Sequence, residues 1–144
     1  MTRWQTGLVV GFTAAVMTAC SGNPMPGDSG YPFNMTGMYD ASIEALGTVY
    51  AGPAEIATSP GGIIYGKIQL DGPETVVGDM EGTISGDTLT WESHYERAGG
   101  CTGVISGVGI IEEGGGSANG DAVVDDDCAG DMFDAVFSMS RQTD

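Results

Sequence analysis

Gly82-Thr83-Ile84-Ser85-Gly86 and Gly103-Val104-Ile105-Ser106-Gly107 share one short pattern, and Cys101 and Cys128 enclose the second copy. A Gly-x-Ile-Ser-Gly unit that recurs every two short strands predicts a β-meander, with the cysteine pair as its staple. Between the copies, Ser85-Gly86-Asp87 has the chemistry of a hairpin turn, since glycine adopts positive φ without a Cβ penalty. Leu89, Trp91, Ser93 and Tyr95 then alternate with Thr88, Thr90, Glu92, His94 and Glu96, which is the period of a strand with one dry face.

The same period extends in both directions. Tyr39, Ala41, Ile43 and Ala45 form one inner face, then Ile64, Gly66, Ile68 and Leu70, then Val76, Gly78, Met80, Gly82 and Ile84. A strand over Thr48 to Ile56 is interrupted by Gly52-Pro53, which predicts an edge or a bulge there. The run from Cys101 to Ile111 is apolar on both faces, and the repeat places Ile105 and Ile111 inside. Gly120 to Asp126 is a short strand, and Phe133, Ala135, Phe137 and Met139 face inward on the last one.

About eight strands at this spacing predict an all-β fold, a small antiparallel meander closed into a barrel, with a two-sheet β-sandwich as the alternative. Closure removes the exposed strand edges of an open meander. Trp91, Phe133, Phe137, Ile64 and Ile68 are expected to fill the interior. Glycines at inner positions, Gly66, Gly78, Gly82 and Gly107, let the sheet coil or let a large ring lie over bare backbone.

The chain has 144 residues and a formal charge of −16, with 20 Asp+Glu against 4 Lys+Arg. That excludes nucleic acid as a partner, because phosphate neutralisation needs lysine and arginine. Anionic lipid headgroups are disfavoured for the same reason.

Residues 1–19 read as a signal peptide: Arg3 follows the charged amino terminus, and an apolar run from Leu8 to Met17 ends at Ala19. Met17-Thr18-Ala19-Cys20 resembles the lipobox of bacterial lipoproteins, with Met17 where that family usually has a branched aliphatic residue. The resemblance implies cleavage before Cys20 and a lipid-carrying Cys20 as first mature residue, in a bacterial cell envelope. Ser21 in the next position implies outer-membrane sorting. Residues 20–35, with Pro24, Pro26 and Pro32 among Gly22, Gly27 and Gly30, then read as a tether, and residues 36–144 as the β-barrel domain. In an exported protein Cys101 and Cys128 are expected to be oxidised, which stabilises by roughly 3–4 kcal/mol on a chain-entropy estimate.

Gly37-Met38-Tyr39 at the start of the first strand and Arg141 at the end of the last resemble the lipocalin-like barrel pattern. There a Gly-x-Trp motif packs under a basic residue, and Tyr39 takes the place of the tryptophan. The resemblance implies a barrel that can carry a small apolar ligand, and Trp91, Tyr95, Phe133 and Phe137 are the candidate pocket residues.

The acidic run ending the disulfide loop offers a calcium reading, with Asp121, Asp125, Asp127 and Asp131 as oxygen ligands. An EF-hand loop does not fit, because Ala129 and Val136 fall where ligands are required. Glu92, His94 and Glu96 share one strand face but are too widely spaced for all three to hold one ion. No spacing supports a Ser/His/acid set, and a close carboxylate pair for hydrolysis is expected by chance among so many acids. The sequence therefore predicts a membrane-anchored, non-catalytic structural or binding module without a cofactor. The alternatives are a carrier of a small apolar ligand, a calcium-dependent surface adhesion or interaction domain, and a carboxylate-based hydrolase.

Overall fold

The structure is a computed structural model that describes residues 33–143. The signal peptide, Cys20 and most of the tether lie outside the described residues. Among the described residues the strands are β1 (Gly37–Ala45), β2 (Thr48–Thr58), β3 (Ile63–Leu70), β4 (Val76–Ser85), β5 (Thr88–Arg97), β6 (Thr102–Glu112), β7 (Ser117–Asp126) and β8 (Phe133–Arg141). Each pairs antiparallel with the next, and β8 returns to β1 in a register from Tyr39↔Arg141 to Ala45↔Ala135. The barrel is closed, and the two-sheet sandwich is not formed.

Period-2 alternation is what makes these segments strands. On β5, Leu89, Trp91, Ser93 and Tyr95 are buried while Thr90, His94 and Glu96 are exposed. β2 corrects the sequence reading: it is neither an edge nor a bulge, but a continuous strand between β1 and β3. Pro53 is accommodated by a gap in one ladder. Ala51 exchanges both backbone hydrogen bonds with Asp71, and regular pairing to β3 resumes only at Ala54↔Ile68. Two residues after Ala51, Pro53 faces β3 in the same way but has no N–H to donate.

The repeat has a different structural outcome in each copy. The first ends in the two-residue turn Gly86-Asp87, where Gly86 has φ of 61°. The second runs through the body of β6 and contains no turn, so it is not a strand–turn unit. Ile105 and Ile111 are buried as expected, but Gly103, Gly107 and Gly109 also face inward between and beside them. A Cβ on Gly107 would lie 2.4 Å from Nε1 of Trp91, and one on Gly103 2.5 Å from Oη of Tyr95. β6 is thus a backbone wall against which neighbouring rings lie flush. Trp91 meets Phe137 edge to face, with centroids 5.1 Å apart.

One end of the barrel is plugged. Met35 is fully buried and Phe33 packs against the core, so the folded domain reaches back into the segment read as tether. Tyr39 is fully buried, and its hydroxyl donates to the carbonyl of Gly115 at 2.6 Å. Arg141 donates to Tyr39 Oη at 2.8 Å and to the Asn34 carbonyl at 2.9 Å, with its guanidinium 5.4 Å from the ring centroid. Burial raises the Tyr39 pKa, opposed by the hydrogen bond and charge of Arg141. The Tyr39–Arg141 contact expected from the lipocalin-like pattern is present, with the bulk of Arg141 exposed outside the end it caps.

Gly107→Ala forces a methyl group into the Trp91 ring. The expected cost is roughly 1–3 kcal/mol of stability, read as a lower urea midpoint by circular dichroism.

Candidate functional site

The opposite end of the barrel is hollow. A cavity of about 250 Å³ opens there between the β1–β2, β3–β4, β5–β6 and β7–β8 connections. Most of its lining is apolar, formed by Ile43, Leu70, Val76, Ile105, Val124 and Phe133. Phe133 and Tyr95, two of the expected pocket residues, line it. Trp91 and Phe137, the other two, fill the barrel as an edge-to-face pair and do not line the cavity. Trp91 Nε1 and the hydroxyl of fully buried Ser93 have no protein hydrogen-bond partner among the described residues.

One wall is polar. Asp126 is the last residue of β7 and continues the inward phase of Ala122 and Val124. Its carboxylate accepts from Tyr95 Oη at 2.5 Å, from Arg97 Nε and Nη2 at 2.9 and 3.0 Å, and from the Cys128 amide at 2.9 Å. Arg97 also donates through Nη1 to Glu74 in the β3–β4 loop. Burial pushes the Asp126 pKa up, but the bonds from Tyr95, Arg97 and Cys128, with the Arg97 charge, outweigh it and hold the carboxyl below its ordinary value. Tyr95 is pushed well up, first by burial and then by its bond to the carboxylate. The hydrogen bonds from Arg97 to Asp126 and Glu74 raise the Arg97 pKa, so it stays protonated.

The mouth is pinned covalently. Cys101 and Cys128 form a disulfide with Cα atoms 5.8 Å apart across a separation of 27 residues, worth about 3.5 kcal/mol on the chain-entropy estimate. Beside it, Thr102 donates through its amide and hydroxyl to Asp127 at 2.9 and 3.1 Å. Leu46 overhangs the mouth at 78% exposure, with φ of 52°, where a hairpin turn favours Asn, Asp or Gly.

The four aspartates proposed for calcium are dispersed. Asp121 and Asp125 lie on the outer face of β7, Asp127 is engaged by Thr102, and Asp131 is exposed in the β7–β8 loop. The acidic side chains that do converge near them are Asp126 and Asp127, beside the disulfide sulfurs. On the outer wall, Glu81, Glu92 and His94 approach within 4.8 Å of one another, while Glu96 stays apart. His94 Nε2 lies 2.9 Å from Glu92 Oε1, and all three side chains sit on the solvent face.

Sequence reasoning missed Arg97 and Glu74, and assigned no inward role to Asp126. A signal for two of them was present. Extending the inward phase of Tyr95 by two residues reaches Arg97, and extending that of Val124 by two reaches Asp126.

No family model matches the chain, and no curated protein matches it. Among solved structures, the chain is similar to EF1p2_mFAP2b bound to DFHBI, with TM-score 0.64 and 16% identity over 75% of this chain and 94% of that one. It is also similar to a redesigned β-barrel, b11L5F_LGL, with TM-score 0.56 and 16% identity over 76% and 92%. A third, a de novo designed fluorescence-activating β-barrel, gives TM-score 0.51 and 13% identity over 74% and 93%. At these identities the likeness is one of fold alone.

Asp126→Ala leaves Tyr95 without an acceptor and Arg97 with Glu74 alone. Near neutral pH the expected loss is about 3 kcal/mol, at the low end for a broken buried pair because Arg97 keeps 27% of its side chain exposed. An unfolded aspartate titrates near 3.9 and the folded Asp126 below that, so its contribution is complete above the unfolded value and lost as pH falls through the folded one. The stability gap between wild type and Asp126→Ala should therefore narrow below about pH 4, which chemical denaturation across pH measures.

Proposed function

We propose that this chain is a non-catalytic binding module of a bacterial cell envelope, anchored through lipid on Cys20, whose barrel holds a small apolar molecule in its open end. The carrying observation is the cavity of about 250 Å³, apolar over most of its lining, in a barrel otherwise filled by its own side chains. An apolar cavity of about 150 Å³ takes up benzene, so this larger one, open at its mouth, suits an aromatic of two or three rings or a medium acyl chain. Leu46 supports the reading: an apolar side chain in a left-handed turn position at the mouth carries backbone strain that an asparagine would relieve. The structural neighbour bound to DFHBI is a liganded barrel of the same architecture, but the ligand class here is argued from this chain's own walls.

Binding is favoured over carboxylate-based hydrolysis by the state of the polar wall. Both Asp126 oxygens already accept hydrogen bonds from the protein, and Tyr95 already donates to them, so neither stands ready to exchange a proton with a ligand. The envelope anchor rests on the lipobox-like Met17-Thr18-Ala19-Cys20. Phe33 and Met35 pack at the plugged end, so a chain arriving from Cys20 joins the barrel opposite its mouth.

Two experiments test the reading. Expressed in a bacterial host, the wild type should sediment with membranes and Cys20→Ser should not; a wild type already free of membranes overturns the anchor. The cavity is tested in the full chain carrying Cys20→Ser, which has no acyl chains to compete. N-phenyl-1-naphthylamine should bind with a fluorescence rise that Ala45→Phe, which fills the cavity, abolishes while circular dichroism stays unchanged. A signal insensitive to Ala45→Phe places the probe elsewhere and overturns the cavity reading.

A further inference from the structure

Resting on the cavity reading above, we propose that the site selects uncharged or cationic apolar molecules and rejects anionic amphiphiles such as fatty-acid carboxylates. An arginine on the wall of an apolar barrel cavity suggests at first a counter-ion for a carboxylate ligand. Here that role is filled from within. Nε and Nη2 of Arg97 donate to Asp126, and Nη1 donates to Glu74. One guanidinium thus faces two carboxylates, which leaves the polar wall with a net negative charge.

Among the described residues, nothing near the mouth reverses that sign. The β7–β8 loop carries Asp127 and Asp131, the β3–β4 loop carries Asp71, and the chain as a whole has only 4 Lys+Arg. Among the described residues lining the cavity, Arg97 is the one cation. An entering anion therefore loses its hydration against a repulsive wall, and breaking Arg97 away to meet it would strand buried Asp126. An uncharged ligand makes no such demand, and an ammonium group at the mouth is attracted by it.

A matched pair of probes reads the difference. N-phenyl-1-naphthylamine and its 8-sulfonate share one ring system and differ by the sulfonate. With the full chain carrying Cys20→Ser, the uncharged probe should bind at least tenfold more tightly than the sulfonate at low salt. Decanol and decylamine, below micellar concentrations, should displace the bound uncharged probe, and decanoate should not. Glu74→Gln removes one of the two carboxylates on Arg97 and lies in a partly exposed loop, so the fold is retained. It should tighten sulfonate binding by about fivefold and leave the uncharged probe unchanged. Equal binding of the two probes, displacement by decanoate, or a sulfonate affinity indifferent to Glu74→Gln overturns the charge selection and leaves the cavity reading standing. Failure of the uncharged probe to bind overturns both.

Discussion

Large rings fit inside this barrel because inward-facing glycines, above all those of β6, leave bare backbone beside them. An eight-stranded barrel encloses only enough space for its own interior side chains, so every ring pointing inward needs a bare wall opposite. Gly103 provides one for Tyr95 and Gly107 one for Trp91. With those rings laid against β6, Phe137 closes on Trp91 from the far side, and side chains fill the middle of the barrel. Closure of β1 on β8 depends on that filling, since a seam between two strands holds only over a packed interior.

The two ends then differ because different chemistry finishes them. At the plugged end, Tyr39, Arg141 and the Phe33–Met35 segment satisfy one another's polar groups and leave no room. At the open end, the strands finish in Tyr95, Arg97 and Asp126, which bond to one another across the wall and so do not collapse into the centre. The disulfide ties the β5–β6 and β7–β8 connections together at the rim of the space beneath the loops. Hollow and plugged ends follow from one principle: a buried polar group settles where its partners are.

This arrangement also explains how a chain of such negative charge tolerates a buried carboxylate. Asp126 is held ionised by a phenol, a guanidinium and an amide, delivered by two separate segments: β5 sends Tyr95 and Arg97, and the disulfide turn sends the Cys128 N–H. The staple and the ionic cluster therefore support each other, and both border the cavity. Glu74 adds a second negative partner from the far side of Arg97.

Alternation along the chain was enough to determine the strands, their inward faces at Tyr39, Ile64, Trp91 and Phe137 and the all-β class, while closure into a barrel rather than a sandwich was decided by the pairing of β1 with β8. The strands and their faces are local properties, because side chains on a strand have a period that any register preserves. The hollow end, the role of Arg97, and the separation of Tyr95 and Phe133 from Trp91 and Phe137 were decided only by tertiary structure. Which inner residues share a level depends on the stagger between strands, and that stagger is set by the summed registers around the closed sheet. The matching pentapeptide patterns at Gly82 and Gly103 make the same point: the first ends in a turn and the second continues as a strand, and Trp91 between them pairs its backbone with Gly82 and lays its ring over Gly107.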